Sequence, residues 1–135
     1  MTGVQTCALP ISATTGESAN AATTSNYANA ATTGNYATAA TTGYRANAAT
    51  TGESANAATT GNYATAATTG ESAVAAAFGY GARAKAAAGG AIVLVFRDQD
   101  IKLIHIFSSM VGQNGIDADK WYALGADGKP VEAAS

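Results

Sequence analysis

From Ala13 to Ala84 the chain is written in units of nine: ATTGESANA, ATTSNYANA, ATTGNYATA, ATTGYRANA, ATTGESANA, ATTGNYATA, ATTGESAVA and a degenerate AAFGYGARA. A fixed short period restricts the fold to a stack of equivalent units, each covering its neighbour. The first, seventh and ninth positions are Ala in all eight units. The fourth is Gly except at Ser25, and the second and third are Thr in the first seven units. The fifth, sixth and eighth positions vary.

A helix does not fit this pattern. Nine residues at about 100° each advance about 900°, so successive units face opposite ways and no apolar stripe forms. Each unit also carries Gly, which costs roughly 1 kcal/mol against Ala in a helix, beside the poor helix formers Thr and Asn. A strand does fit. Ala19 and Ala21, two apart, share one face, while Ser18 and Asn20 point the other way. The Gly of the fourth position is expected to supply the turn, where positive φ is cheap. Odd units read ES, NY, ES, ES at the variable fifth and sixth positions, and every even unit carries a Tyr. This eighteen-residue superperiod predicts two units per coil, four coils in all, and a rod about 19 Å long at the strand spacing. The expected fold is therefore all-β: a thin parallel β-solenoid, or β-roll, with Ala as its filling. The competing reading is a disordered low-complexity linker, because such chains often bury too little to offset ordering entropy. Column invariance favours stacking.

The hydrophobic fraction of 47% is mostly Ala, and the large apolar residues gather after Ala91. There AIVLVFR reads as a strand, DQD as a turn and IKLIHIF as a second strand. A loop leads to a short strand near Trp121–Leu124, and Asp127-Gly128 marks a last hairpin. These elements are expected to form a small antiparallel β cap over residues 85–135, closing a solenoid of residues 13–84. Solenoids need such caps because a bare last coil is an adhesive edge.

The opening dozen residues differ from everything after them. Thr2–Ile11, TGVQTCALPI, resembles the single-frame translation of a common sequencing-library adapter. Residues 1–12 are accordingly expected to be adapter-derived. Cys7 and Pro10 then leave the native protein, the visible repeat count is a minimum, and a secretion signal upstream stays open.

The charges point away from several functions. A net charge of -2 with 12% charged residues is unlike a nucleic-acid surface, which concentrates Lys and Arg. The longest strongly apolar run, Ala91–Phe96, has strand length, so no membrane insertion is expected. His105 is the single His, and it reads as a packed or edge residue. Asp98 with Asp100, and Asp117 with Asp119, sit in no complete calcium loop and read as turn caps. Glu17, Glu53 and Glu71 read as solvated. Neither a nucleophile elbow, a phosphate loop nor a CxxC occurs. The expectation is no enzyme, no metal and no cofactor.

Tyr27, Tyr36, Tyr44, Tyr63 and Tyr80 occupy the variable outward positions and form the candidate contact surface. Tyr supplies amphipathic contact area at small entropic cost. Glycan or protein is the ligand class in view, against a plain structural role in stacking coil on coil.

ESAVAAAFGYGARAKAAAGGAIVL resembles the head repeats of trimeric autotransporter adhesins, which build a parallel β-roll. The ending WYALGADGKPVE resembles the C-terminal region of uncharacterised repeat proteins of bacteria and phages, which follows similar Thr/Gly/Ala/Tyr repeats. These resemblances imply a structural or adhesive protein of a bacterial surface or a phage fibre, at an extracellular surface or in a virion. Homo-oligomerisation stays open, a trimer being what the adhesin heads imply. An ice-binding solenoid is the alternative, although adjacent threonines such as Thr32-Thr33 point to opposite faces of a strand. A hydrolase carried on the rod needs an acidic pair in a cleft.

Overall fold

A computed structural model describes residues 11–133; residues 1–10, with Cys7 and Pro10, lie outside them. Thirteen strands make up the regular structure of the described residues: β1 Ile11–Thr14, β2 Asn20–Thr23, β3 Asn29–Thr32, β4 Thr38–Thr41, β5 Asn47–Thr50, β6 Asn56–Thr59, β7 Thr65–Thr68, β8 Val74–Ala77, β9 Arg83–Lys85, β10 Ala91–Arg97, β11 Leu103–Met110, β12 Tyr122–Leu124 and β13 Pro130–Glu132. Odd strands β1-β3-β5-β7-β9 stack in one sheet and even strands β2-β4-β6-β8-β10 in the other. Each nine-residue unit is one strand and one turn, so two units complete a coil. Through β9, parallel partners lie eighteen residues apart, Ala30 on Ala48 and Ala39 on Ala57 among them.

The rod has five such coils rather than the expected four. Ile11 and Ser12 complete β1, pairing with Asn29 and Ala30. Beyond Ala84, Ala91–Leu94 stacks in register on Val74–Ala77, residue for residue.

Every strand is four residues long through β8, and β1 to β7 alternate in burial. The ninth-position Ala and second-position Thr face in, whereas the eighth and first positions face out. From Ala28 to Ala73 the seventh-position alanines are fully buried, as are the ninth-position alanines from Ala30 to Ala75 to within 1%. Methyl groups reach only a short way, so two sheets lined with them close a gap narrower than the ~10 Å usual between sheets. Alanine, a poor strand former alone, is used here for its size.

The fourth-position glycines do not serve the turn as expected, because none of them has positive φ. Their need is space. A Cβ on Gly52 would stand 2.0 Å from the carbonyl oxygen of Gly34, one coil below, and one on Gly43 would stand 1.9 Å from that of Ser25. Ser25 itself is tolerated in the first even coil, where no described rung lies beneath it. Positive φ falls two positions later, at Ser18, Tyr27, Tyr36, Arg45, Ser54, Tyr63 and Ser72, with φ between 55° and 62°. Side chains rarely accept this conformation. It turns the backbone N–H along the stack: Tyr36 donates to the Glu53 carbonyl at 2.9 Å, and Tyr63 to that of Tyr80 at 2.7 Å. The ladder of hydrogen bonds thus continues through the turns and leaves those backbone groups paired.

At the C-terminal end the filling changes from methyls to large side chains. Ile92 and Leu94 of β10, Ile116 of the following loop, and Tyr122 and Leu124 of β12 join the alanine core. β11 returns antiparallel along β10, while β12 crosses to the other sheet, antiparallel to β9 at Tyr122–Ala84, and β13 closes a hairpin on it. The Tyr122 hydroxyl accepts from the Asp117 N–H at 2.9 Å, which holds the loop over the core. Parallel solenoid and antiparallel cap are the architecture anticipated from the sequence.

Candidate functional site: the tyrosine edge

The two-unit coil sorts the turns into two edges. One edge carries the turns of the even units: Asn26-Tyr27, Tyr44-Arg45, Asn62-Tyr63 and Tyr80-Gly81. The other carries Glu17-Ser18, Asn35-Tyr36, Glu53-Ser54 and Glu71-Ser72. Of the five expected contact residues, the fold therefore gathers Tyr27, Tyr44, Tyr63 and Tyr80 in one file and places Tyr36 on the opposite, acidic edge.

Within the file the rings touch edge to face. Centroids of Tyr27 and Tyr44 lie 5.9 Å apart, those of Tyr44 and Tyr63 5.9 Å, and those of Tyr63 and Tyr80 5.5 Å, with ring planes near perpendicular. Such pairs contribute about 0.5–1.5 kcal/mol beyond their burial. Positions alternate between sixth and fifth along the file, which staggers successive rings so that they meet edge to face. Tyr27, Tyr44 and Tyr63 remain exposed to solvent. Stacking and availability therefore coexist in the same side chains.

Arg45 belongs to this edge although no motif marks it. Its guanidinium lies 5.5 Å from the Tyr44 ring centre and 5.7 Å from that of Tyr63. Its Nε donates to the Tyr44 hydroxyl at 3.2 Å. That hydrogen bond, with the neighbouring phenols, raises the guanidinium pKa further. Loss of surrounding water raises the Tyr63 phenol above the usual tyrosine value, with Tyr80 adding to the effect.

Asparagines of the fifth position, which the sequence pattern leaves as variable surface, are structural. Asn26 Oδ1 accepts from the Tyr44 N–H at 2.9 Å and Asn62 Oδ1 from the Tyr80 N–H at 3.2 Å. Asn35 does the same for Glu53 on the other edge. Each ties one coil's turn to the next. Beside the file, the outward eighth position forms its own ladder. Thr65 Oγ1 donates to Asn47 Oδ1, and Asn47 Nδ2 donates to Asn29 Oδ1 at 2.8 Å.

A groove of about 370 Å³ runs between these two columns, lined by Tyr27, Arg45, Asn47, Tyr63, Thr65, Gly81 and Arg83. Arg83 lies with its guanidinium 5.6 Å from the Trp121 ring centre, and Lys85 Nζ approaches the same ring to 5.0 Å. A residue-level signal for the groove was present in the sequence. The superperiod puts Tyr27, Arg45, Tyr63 and Gly81 in one sixth-position column and Asn47, Thr65 and Arg83 in the eighth-position column beside it.

The remaining candidates take local roles. His105 packs its ring 6.4 Å from that of Phe96 and against Gly128 in the final hairpin. Asp98 Oδ1 accepts from the N–H groups of Asp100 and Lys102, capping its turn. Asp117 pairs with Lys120 at 3.3 Å, which raises the ammonium pKa. Among the described residues, no three of His, Cys, Asp and Glu converge.

These features define the class: a capped parallel β-solenoid of nonapeptide repeats, two to a coil, with one aromatic and one acidic edge. No protein-family model, curated protein or solved structure matches the chain.

Proposed function

We propose that this chain is a non-enzymatic structural and adhesive rod, part of a bacterial surface protein or phage fibre, which presents its even-unit edge to a glycan or protein. The carrying observation is the division of labour between columns. Interior alanines and glycines barely vary, while the exposed turns carry Tyr27, Tyr44, Arg45 and Tyr63 in a continuous file. Exposed tyrosines and arginine are the residue types that anchor recognition surfaces. A rod repeats such contacts at a fixed spacing, so weak single contacts add through multivalency.

The test is retention on a glycan array and on intact bacterial cells, comparing the full chain with a Tyr27→Ser/Tyr63→Ser variant. The reading expects selective retention that the double variant loses while its circular dichroism is unchanged. Equal retention of both chains, or of neither, overturns it.

The threonine columns bear on the ice-binding alternative. Thr32, Thr41, Thr50, Thr59 and Thr68 of the second position are buried, which leaves the third-position threonines as a single outward column beside each sheet. A thermal-hysteresis measurement separates the readings, and no hysteresis is expected.

A further inference from the structure

We propose that the groove beside the tyrosine file is a binding site for an acidic saccharide, a glycan chain carrying carboxylate groups. The inference rests on the adhesive reading and narrows it to one ligand chemistry and one place on the rod.

Charge comes first. The whole chain carries a net charge of -2, yet the groove is lined by Arg45 and Arg83 and, among the described residues, by no carboxylate. Glu17, Glu53 and Glu71 all stand on the far edge. The groove is thus a local positive site on an acidic rod, and it favours an anion. The Arg45 guanidinium is held in place before any ligand arrives, by the Tyr44 hydroxyl and the Tyr63 ring, while Arg83 lies over the Trp121 ring. A planar guanidinium offers a carboxylate two parallel N–H donors, and side chains already ordered lose less entropy on binding.

Shape and polarity come next. Its volume lies within the range of about 300–1,000 Å³ that ligand sites occupy. Along the wall, the sixth-position column reads Tyr27, Arg45, Tyr63, so a guanidinium stands between two phenol rings at rung spacings of about 4.8 Å. At the fourth rung the column has Gly81, and a Cβ there would meet the Tyr63 ring at 2.8 Å. The missing side chain lets Tyr63 lean across and leaves the end of the groove open. Along the floor, Asn47 keeps one amide hydrogen beyond the one given to Asn29, and Thr65 Oγ1 keeps its lone pairs while donating to Asn47. These groups match sugar hydroxyls, which both donate and accept. Aromatic walls, a hydroxyl-matching floor and fixed guanidinia together describe a sugar ring bearing a carboxylate. A single-stranded nucleic acid is the rival ligand, since it also pairs anions with stacking faces. It needs successive ring faces turned the same way for bases to stack along the strand, and here successive rings stand near perpendicular to one another.

The experiment is calorimetric titration of the full chain with a hexasaccharide of alternating glucuronic acid and N-acetylglucosamine, a galacturonic acid hexamer, neutral cellohexaose and an oligothymidylate. The expected result is binding of at least one uronic oligomer, weaker with rising salt. Arg45→Gln should weaken it about tenfold or more, with Arg45→Lys intermediate and Glu53→Gln on the far edge without effect. Circular dichroism and thermal unfolding of each variant confirm that the rod is intact. If Arg45→Gln fails to fold, Thr65→Glu is read instead; it places a carboxylate in the groove and should abolish binding. Equal or tighter binding of oligothymidylate, binding of cellohexaose as tight as that of the uronic oligomers, or affinity indifferent to Arg45 overturns the inference. Neutral-glycan binding that survives Arg45→Gln but is lost in Tyr27→Ser/Tyr63→Ser sinks the acidic-sugar site and leaves the adhesive reading standing. Absence of binding to all four probes at about 1 mM overturns the inference, and the adhesive reading then stands or falls on the array and cell tests alone.

Discussion

At the scale of the residue, this rod is governed by what lies eighteen positions away. Gly52 and Gly16 are the same residue at the same place in the repeat, yet one sits on a backbone oxygen and the other on open space. A Cβ at Gly52 would be 2.0 Å from the Gly34 carbonyl, whereas at Gly16 the nearest atom is 4.0 Å off. Gly52→Ala should cost about 3 kcal/mol or more, since two backbone rungs must part. Gly16→Ala should be neutral or stabilising by about 0.5–1 kcal/mol, because it restricts only the unfolded chain. Urea unfolding of both variants checks this, and equal effects would refute the close-approach account. The interior threonines give the second residue-scale prediction. Thr32, Thr50, Thr59 and their equivalents bury Oγ1 without a hydrogen-bond partner. An unpaired buried hydroxyl costs about 1–3 kcal/mol. Thr50→Val keeps the branched shape and should raise stability by about 1 kcal/mol by the same urea measurement; a loss would show that the hydroxyl is bonded after all. The degenerate last unit already places Ala77 in this column.

At the scale of the element, the turns rather than the strands distinguish one coil from the next. Strands β2 to β7 are nearly identical in sequence, so apart from their first, outward residue they carry stacking alone. The turns carry the left-handed residue, the asparagine bracket and the aromatic file. This concentration makes the tyrosine edge sensitive to alkaline pH. Tyr63 has its pKa raised on folding, so the folded state holds that proton more tightly than the unfolded chain does. Its contribution to stability is complete below the unfolded tyrosine value of about 10 and is lost as pH rises through the higher folded value. Unfolding midpoints in urea should therefore fall as pH rises above about 10, and Tyr63→Phe should reduce that fall. Identical pH profiles for the two proteins would contradict the assignment.

At the scale of the molecule, stability is a sum of coils and the contacts between them, closed at one end by a true hydrophobic cap. The coil, not the unit, is the indivisible piece. Deleting residues 49–66 removes one coil and sets Tyr44 directly beneath Tyr80, so the aromatic file survives. Deleting residues 49–57 removes half a coil. Strands still stack, because their columns match, but the later turns change edges: Tyr44 meets Glu71, and Tyr63 meets Tyr36. Both deletions should keep the far-ultraviolet β signal. The half-coil deletion splits the file into a Tyr27–Tyr44 pair on one edge and a Tyr63–Tyr80 pair on the other, so a Tyr44→Cys/Glu71→Cys pair should form a disulfide in that deletion only, and a disulfide in the full-coil deletion would refute the two-unit coil.

Much of this was readable from the repeat alone. Recurrence every nine residues, with Ala at spacing two, fits a strand period and no helical one, and the alternation of Tyr-bearing turns disclosed two units per coil. Contacts within a strand are local, so a periodic pattern carries them without help. The role of the fourth-position glycine was misread for the opposite reason: its constraint comes from a backbone oxygen in the neighbouring coil, and no local property of ATTG betrays it. The positive φ of Tyr36 or Arg45 was hidden likewise, since those residues disfavour it and only the hydrogen bond to the next rung holds them there. Which tyrosines meet, and that Arg45 and Arg83 border one groove, was decided by the coil closing on itself, which brings residues eighteen apart to within one strand spacing.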